Sequence, residues 1–522
     1  MRSRPIKLGD AALAALGAGR PDAATLDTLR RAQLSRNMLL LREIRRRHPD
    51  TPSWYPRITA AEPAEARRLI ADPMTGLSAA EALRAGDHES FELPEPGLVL
   101  TAVHQDLSLS VRVDAHSRTR SRLGLPPTGE LTAAELDHWQ HCLDEAWRIL
   151  VSRHRPAAEV LAAVLRVIVP VLPDPAAEGI SATSSEAFGA VAMSAPADPA
   201  ALAVGLLHET MHSVLNAVTL LFDLVRPGGS AGYSPWRDDP RPAAGVLHGA
   251  YAYLAVTRFW RTELAAAATV PAVAETAGPA GAVGTAGAVE TAGAVGTAGA
   301  AKAGGSVGTA GAVGAVGADG GAAFEFARWR VAVAEAAEAL LEGGELTPAG
   351  ARFVAALLGE VRPWRDEEVD GEAVRLAGLV RDDHYLRWRL RNLTVSPEHT
   401  AELARAWREG RPAPRVPSIP AVGSGRALEN SPRVRLAHAL VKKAGLGDAS
   451  PGDAAVVRGD ARAALPAYQI DLEKNRDQDL SWAGLALVSP RPALRSRPEV
   501  VKAAAIALPE AEIDALADWL AG

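Results

Sequence analysis

Two histidines four residues apart, in His208-Glu-Thr-Met-His212, are the part of this sequence best suited to chemistry. An α-helix turns once every 3.6 residues, so both imidazoles project from one face and can reach a single cation at about 2.0–2.2 Å. Glu209 lies about 100° round the helix from His208, where its carboxylate can touch a metal-bound water. The flanking Leu202, Val204, Leu206, Leu207, Val214 and Leu215 mark a buried helix. Two imidazoles and a carboxylate buried without partners would be costly, and a metal ion supplies the partner. His248 is the best candidate for a third ligand. Asp223, Asp238 and Glu263 are alternative donors, although Glu263 stands about four turns beyond His248 along the same segment. Three imidazoles, or two with a carboxylate, leave open positions on the ion. With zinc these suit amide hydrolysis with Glu209 as general base; with iron(II) they admit a bidentate 2-oxo acid and O₂. Residue type alone does not choose between them.

The elements that must position these groups are helices. Asp198-Pro199 supplies an N-cap and a first-turn proline for the helix carrying His208 and His212. Asp239-Pro240 reads as the start of a second helix running past His248 to Trp260, and two helices joined by a loop of this length tend to pack antiparallel. Helical spacing also predicts helices over 22–42, 133–151, 157–169, 324–341 and 381–408, whereas 97–113 has the partial alternation of one or two strands. Residues 265–323 repeat AVETAGAVGTAGA-like units with almost no charge, which predicts a disordered insertion. Beyond the Pro-rich joint at 411–425, the stretches 459–468 and 482–487 resemble one helix-turn-helix pair of the tetratricopeptide type. The expected fold is mainly α: a multi-helical metal-binding core with little sheet, spanning 1–264 and 324–410, and a small helical C-terminal region, 426–522.

Composition narrows the function classes. The 522 residues are 48% apolar, enough for a large core, and 56 basic against 62 acidic residues give a formal charge of −6 with no bias toward nucleic acid. Cys142 is the single cysteine, so a disulfide framework and a thiolate cluster are both excluded and any metal must rest on imidazole and carboxylate. The apolar stretch near the start is short and broken by glycine, and no apolar run of about 20 residues follows, so the expectation is a cytoplasmic protein that does not span a membrane.

Several blocks together resemble the HExxH-motif peptide-modification family encoded beside ribosomally synthesised peptides, including domains fused to radical-SAM cyclophane synthases of the FxsB type. The blocks are Gln33-Leu-Ser-Arg36 with Leu39-Leu-Leu41, Ser181-Ala-Thr-Ser184 with Ala187-Phe-Gly189, Leu207-His-Glu-Thr-Met-His212, Ser234-Pro-Trp-Arg-Asp-Asp-Pro-Arg-Pro242, Leu247-His-Gly-Ala-Tyr-Ala252, and His384 with Arg387-Trp-Arg-Leu390. The long Ala/Gly insertion departs from that pattern. The resemblance implies iron(II)- and 2-oxoglutarate-dependent hydroxylation of a side-chain β-carbon in a precursor peptide, with a radical-SAM maturase of the same pathway as a further partner. On that reading His208, His212 and His248 hold the iron, and Glu209 orients a ligand instead of acting as a hydrolytic base. The distal carboxylate of 2-oxoglutarate calls for a guanidinium, for which Arg237, Arg241, Arg387 and Arg389 are candidates. Trp236 and Trp388 read as packing residues.

Overall fold

The computed structural model describes residues 6–47, 54–87, 90–174, 179–269, 321–421 and 431–522. The chain is mainly helical. Helices α1 (Asp10–Gly17), α2 (Ala23–Arg47), α3 (Trp54–Thr59), α4 (Pro63–Ala71) and α5 (Pro73–Ala85) lead into a hairpin of β1 (Val99–His104) and β2 (Leu107–Val113). Next come α6 (Ala133–Arg153), α7 (Arg155–Val164), β3 (Val167–Pro170), β4 (Ser181–Ala182), β5 (Ala190–Met193) and the HExxH helix α8 (Pro199–Thr219). A second hairpin, β6 (Gly232–Ser234) and β7 (Arg237–Arg241), separates α8 from α9 (Ala243–Thr269). Helices α10 (Gly321–Glu342), α11 (Pro348–Val361), α12 (Gly371–Asn392) and α13 (Pro397–Arg408) follow, with short strands β8 (Leu393–Thr394) and β9 (Ile419–Pro420). The C-terminal part comprises α14 (Pro432–Val441), α15 (Pro451–Val457), α16 (Ala461–Lys474), α17 (Asp479–Val488), α18 (Pro492–Ser496), α19 (Pro498–Ala507) and α20 (Ile513–Ala521). Among the described residues no helix is long and apolar enough to cross a membrane.

There is more sheet than the alternation at 97–113 suggests. Five strands form one mixed sheet in the order β1-β2-β3-β5-β4, with β2, β3 and β5 parallel and the two outer strands antiparallel to their neighbours. Two of the three inner strands, β3 (Val-Ile-Val-Pro) and β5 (Ala-Val-Ala-Met), are buried at every position. A strand buried on both faces loses its alternation and cannot be told from a buried helix by periodicity. For that reason the helix expected over 157–169 ends at Val164, and its last residues are β3.

Three other expectations change. The stretch 381–408 is two helices, because Leu393–Thr394 leaves α12 to pair with Ile419–Pro420 and Ser396 caps a new helix, α13. Asp239-Pro240 does not start a helix: Arg237–Arg241 is strand β7, and α9 begins at Ala243. The presumed insertion over 265–323 is helical at both margins, where α9 runs on to Thr269 and α10 begins at Gly321, and its remainder, 270–320, lies outside the described residues. Part of the joint at 411–425 falls outside them too.

The largest hydrophobic core joins α1, α2, the sheet and α6 through α11, with α8 and α9 at its centre. A second core fills the C-terminal helices and takes in Leu386 and Leu390 of α12 and Ala404 of α13. Upstream on α12, Leu376, Ala377 and Val380 pack with Phe324 and Ala327 of α10. That single helix therefore belongs to both regions.

Candidate metal centre

Helix α8 begins as its sequence dictates: the Asp198 carboxylate accepts from the amide of Ala201 at 2.8 Å and Pro199 occupies the first turn. From Leu202 to Val218 every residue is buried, including His208, Glu209, Thr210, His212, Ser213 and Asn216. His208 and His212 meet Nε2 to Nε2 at 3.1 Å. On α9, His248 approaches the other side of His212, Nδ1 to Nδ1, at 3.4 Å. Both separations match two donors that each stand about 2.0–2.2 Å from a shared cation.

The electrostatics suit metal donors. Burial disfavours the imidazolium, holding His208 and His248 down at about 4. The same desolvation, reinforced by His208 and His248, puts His212 well below its ordinary value. All three rings are therefore neutral near pH 7 and have a lone pair to give.

Glu209 points from α8 toward the outer strand of the sheet. Ser181 Oγ of β4 donates to its Oε1 at 2.7 Å, while Oε2 is buried without a hydrogen-bond partner. Burial raises this carboxyl to about 8, partly offset by the Ser181 and Thr183 hydroxyls. Its Oε1 is 4.0 Å from His208 Nε2. Among the described residues, His208, Glu209 and His212 form the one group whose donor atoms all lie within 4.8 Å of one another. His248 adjoins that group through His212 alone. Because His212 offers Nε2 to His208 and Nδ1 to His248, three-imidazole coordination of one ion requires a ring to turn, whereas the set with Glu209 does not.

The other carboxylates have different occupations. Glu263 is bound by His154 Nε2 at 2.6 Å and by Arg153 at 2.8 and 2.7 Å. Asp238 lies 3.4 Å from His384 Nε2 and 3.8 Å from Arg391, and Asp223 is at the surface. The candidate arginines divide into two pairs. Arg237 and Arg241 on β7 share Asp239 at 2.9 and 3.1 Å, on the hairpin that adjoins α9. Arg387 pairs with Asp383 of its own helix at 3.1 Å, and Arg389 reaches Glu499 of α19 at 3.1 and 2.6 Å.

No protein-family model matches this chain, and no curated protein matches it significantly.

Aromatic rings complete that site. Tyr253 meets His208 edge to face at 5.1 Å, Trp236 stacks on Tyr253 at 5.3 Å, and Trp329 closes on Tyr253 at 4.2 Å. Trp236 is thus a packing residue, as expected, but it packs at the centre. Trp388 packs edge-on to Tyr233 at 5.4 Å, away from the imidazoles. Sequence reasoning gave no role to Ser181 or Tyr253. A serine and a threonine alternating at 181 and 183, opposite one face of a buried strand, were the available signal for the first. Tyr253 carries no such mark among its apolar neighbours.

Proposed function

We propose that this chain is a metal-dependent enzyme acting on peptides, and that it is an iron(II)- and 2-oxoglutarate-dependent β-hydroxylase of a ribosomally synthesised precursor peptide. The observation carrying the metal reading is the close approach of three neutral imidazoles, the buried His208 and His212 of α8 and the part-buried His248 of α9. The choice of iron and 2-oxoglutarate rests on the family resemblance of the blocks around these residues.

The donor set fits such an ion. Neutral imidazoles suit iron(II), and the orphaned Oε2 of Glu209 is a buried acceptor in want of a partner. When bound, iron(II) with a 2-oxo acid supplies O₂ activation and hydrogen abstraction from an unreactive carbon. His208 and His212 hold the ion through Nε2, with His248 joining once a ring turns. Ser181 fixes the Glu209 carboxyl so that it orients a ligand. Tyr253 and Trp236 keep bulk water away from His208. Arg237 and Arg241, on the hairpin that adjoins α9, receive the distal carboxylate of the 2-oxo acid in exchange for Asp239. The C-terminal pair α16 and α17, which pack on each other, is the one helix hairpin of tetratricopeptide type suggested by the sequence.

A zinc peptidase is the second reading, and the 4.0 Å between Glu209 Oε1 and His208 Nε2 favours it, because a water bound there is within reach of the carboxylate. Anaerobic loading with iron(II) and 2-oxoglutarate followed by air separates the two. Succinate release and a peptide mass gain of one oxygen support hydroxylation. Zinc-dependent cleavage that needs no 2-oxoglutarate and disappears in Glu209→Gln would replace it with hydrolysis.

A further inference from the structure

On α8 the donors are sealed, His208 and His212 each 3% exposed and Glu209 fully buried, whereas His248 on α9 is part-buried. A peptide meets them only if part of the wall moves. Most of that wall is core. α6, α7 and the sheet pack on α8 through large apolar side chains, and displacing any of them would open the main hydrophobic core.

The β6–β7 hairpin reaches that same core through one side chain, Trp236. Its arms are tied to α12: Tyr233 Oη lies 3.1 Å from His384 Nδ1, Asp238 lies 3.4 Å from His384 Nε2, and the Asp238 carbonyl accepts from Asn392 Nδ2 at 2.7 Å. At its tip, Pro235-Trp236, one side chain reaches inward. The Trp236 indole rests in a slot on α9 floored by Gly249, where an added Cβ would stand 1.8 Å from Nε1. Only glycine accommodates the ring there. One wall of the slot is Tyr253, stacked on the indole at an interplanar angle of 16° and itself in contact with His208. Gly249 directly follows His248. The indole thus packs on the residue that follows His248 and on the ring that supports His208, and it is carried by a hairpin whose arms are tied to α12 independently of it.

We propose, resting on the metal-centre reading above, that Trp236 is a removable plug: its indole fills the approach to the imidazoles along α9, and its withdrawal admits a flat aromatic side chain of the peptide substrate to the slot between Gly249 and Tyr253. The slot has the shape and apolarity of an aromatic ring because it already holds one.

The test uses cobalt(II), which visible absorption reports without turnover. Co²⁺-loaded wild type, Trp236→Ala and Gly249→Ala are mixed with a chelator and the release of the metal is followed. Because a closed state opens only a small fraction of the time, both variants are expected to release Co²⁺ about tenfold faster or more. Free indole should restore slow release to Trp236→Ala, where the slot is empty, and not to Gly249→Ala, where a methyl group blocks it. Wild-type release rates in the variants, or no effect of indole on Trp236→Ala, would overturn the plug. Should Trp236→Ala fail to fold by circular dichroism, the release rate of Gly249→Ala decides alone. Wild type that binds no Co²⁺ defeats the metal-centre reading and the plug together, whereas wild type that binds it with unaltered variants defeats only the plug.

Discussion

Two clusters of buried polar side chains lie in this molecule, and they are built on opposite terms. In the C-terminal cluster Arg433, wholly buried, donates to Asp383 at 2.6 Å, to Asp453 at 2.6 Å and to the Leu480 carbonyl at 3.0 Å, while Tyr468 Oη donates to Asp453 at 2.7 Å. Its charges are matched within the protein. On the metal-centre helix, by contrast, Glu209 Oε2, Thr210 Oγ1, Ser213 Oγ and Asn216 Nδ2 are buried with no hydrogen-bond partner, and His212 meets both His208 and His248. A polar network complete in itself is structural, and one left incomplete in a buried place is where a ligand belongs.

The contrast is sharpest in stability. Arg433→Met leaves the buried Asp453 without its cation and Asp383 with Arg387 alone, and is expected to cost about 3–5 kcal/mol in urea denaturation; a loss below about 1 kcal/mol would remove the distinction between the clusters. At the metal centre the large term comes from outside the chain. Zinc or cobalt(II) at a hundred to a thousand times its Kd should add about 3–4 kcal/mol to wild type and nothing to His212→Ala, as read by thermal unfolding with and without chelator.

The pH responses of the two clusters should also be opposite in sign. Burial holds Glu209 up at about 8, above its ordinary 4.5, so the unfolded chain releases that proton first and metal-free protein loses stability as pH rises from about 4.5 through about 8. For Asp383, burial acts upward but Arg433 and Arg387 outweigh it and hold the carboxyl below its ordinary 3.8. The stability it contributes is complete above that value and is lost as pH falls through the folded one. Denaturation across pH should show the alkaline slope flattened in Glu209→Gln and the acid slope flattened in Asp383→Asn. The smallest effect belongs to the start of α8, where Asp198→Ala removes a cap worth about 1 kcal/mol; guanidinium unfolding of the variant reads it directly.

The same contrast explains what the sequence disclosed. His208, Glu209 and His212 were legible because helical geometry alone aligns them, and Asp198-Pro199 marked where their helix starts. Asp460 after Gly459 likewise begins α16, accepting from the Ala463 amide at 2.9 Å. Asp239-Pro240 misled because its meaning depends on partners distant in the chain or opposite in a hairpin: Asp239 is engaged by Arg237 and Arg241, and its strand pairs with β6. Sheet order was hidden for a similar reason, since β3 and β5 are uniformly apolar. Arg389 was a plausible ligand-binding residue until its bond to Glu499, 110 positions away, came into view.

The break between α9 and α10 bears on how this protein tolerates change. Thr269, where α9 ends, is about 30 Å from His248 at the rise of an α-helix. A change at the C-terminal end of α9 therefore alters the chain far from His248. That makes this helix end a natural place for drift in evolution, or for attaching a reporter without disturbing the chemistry.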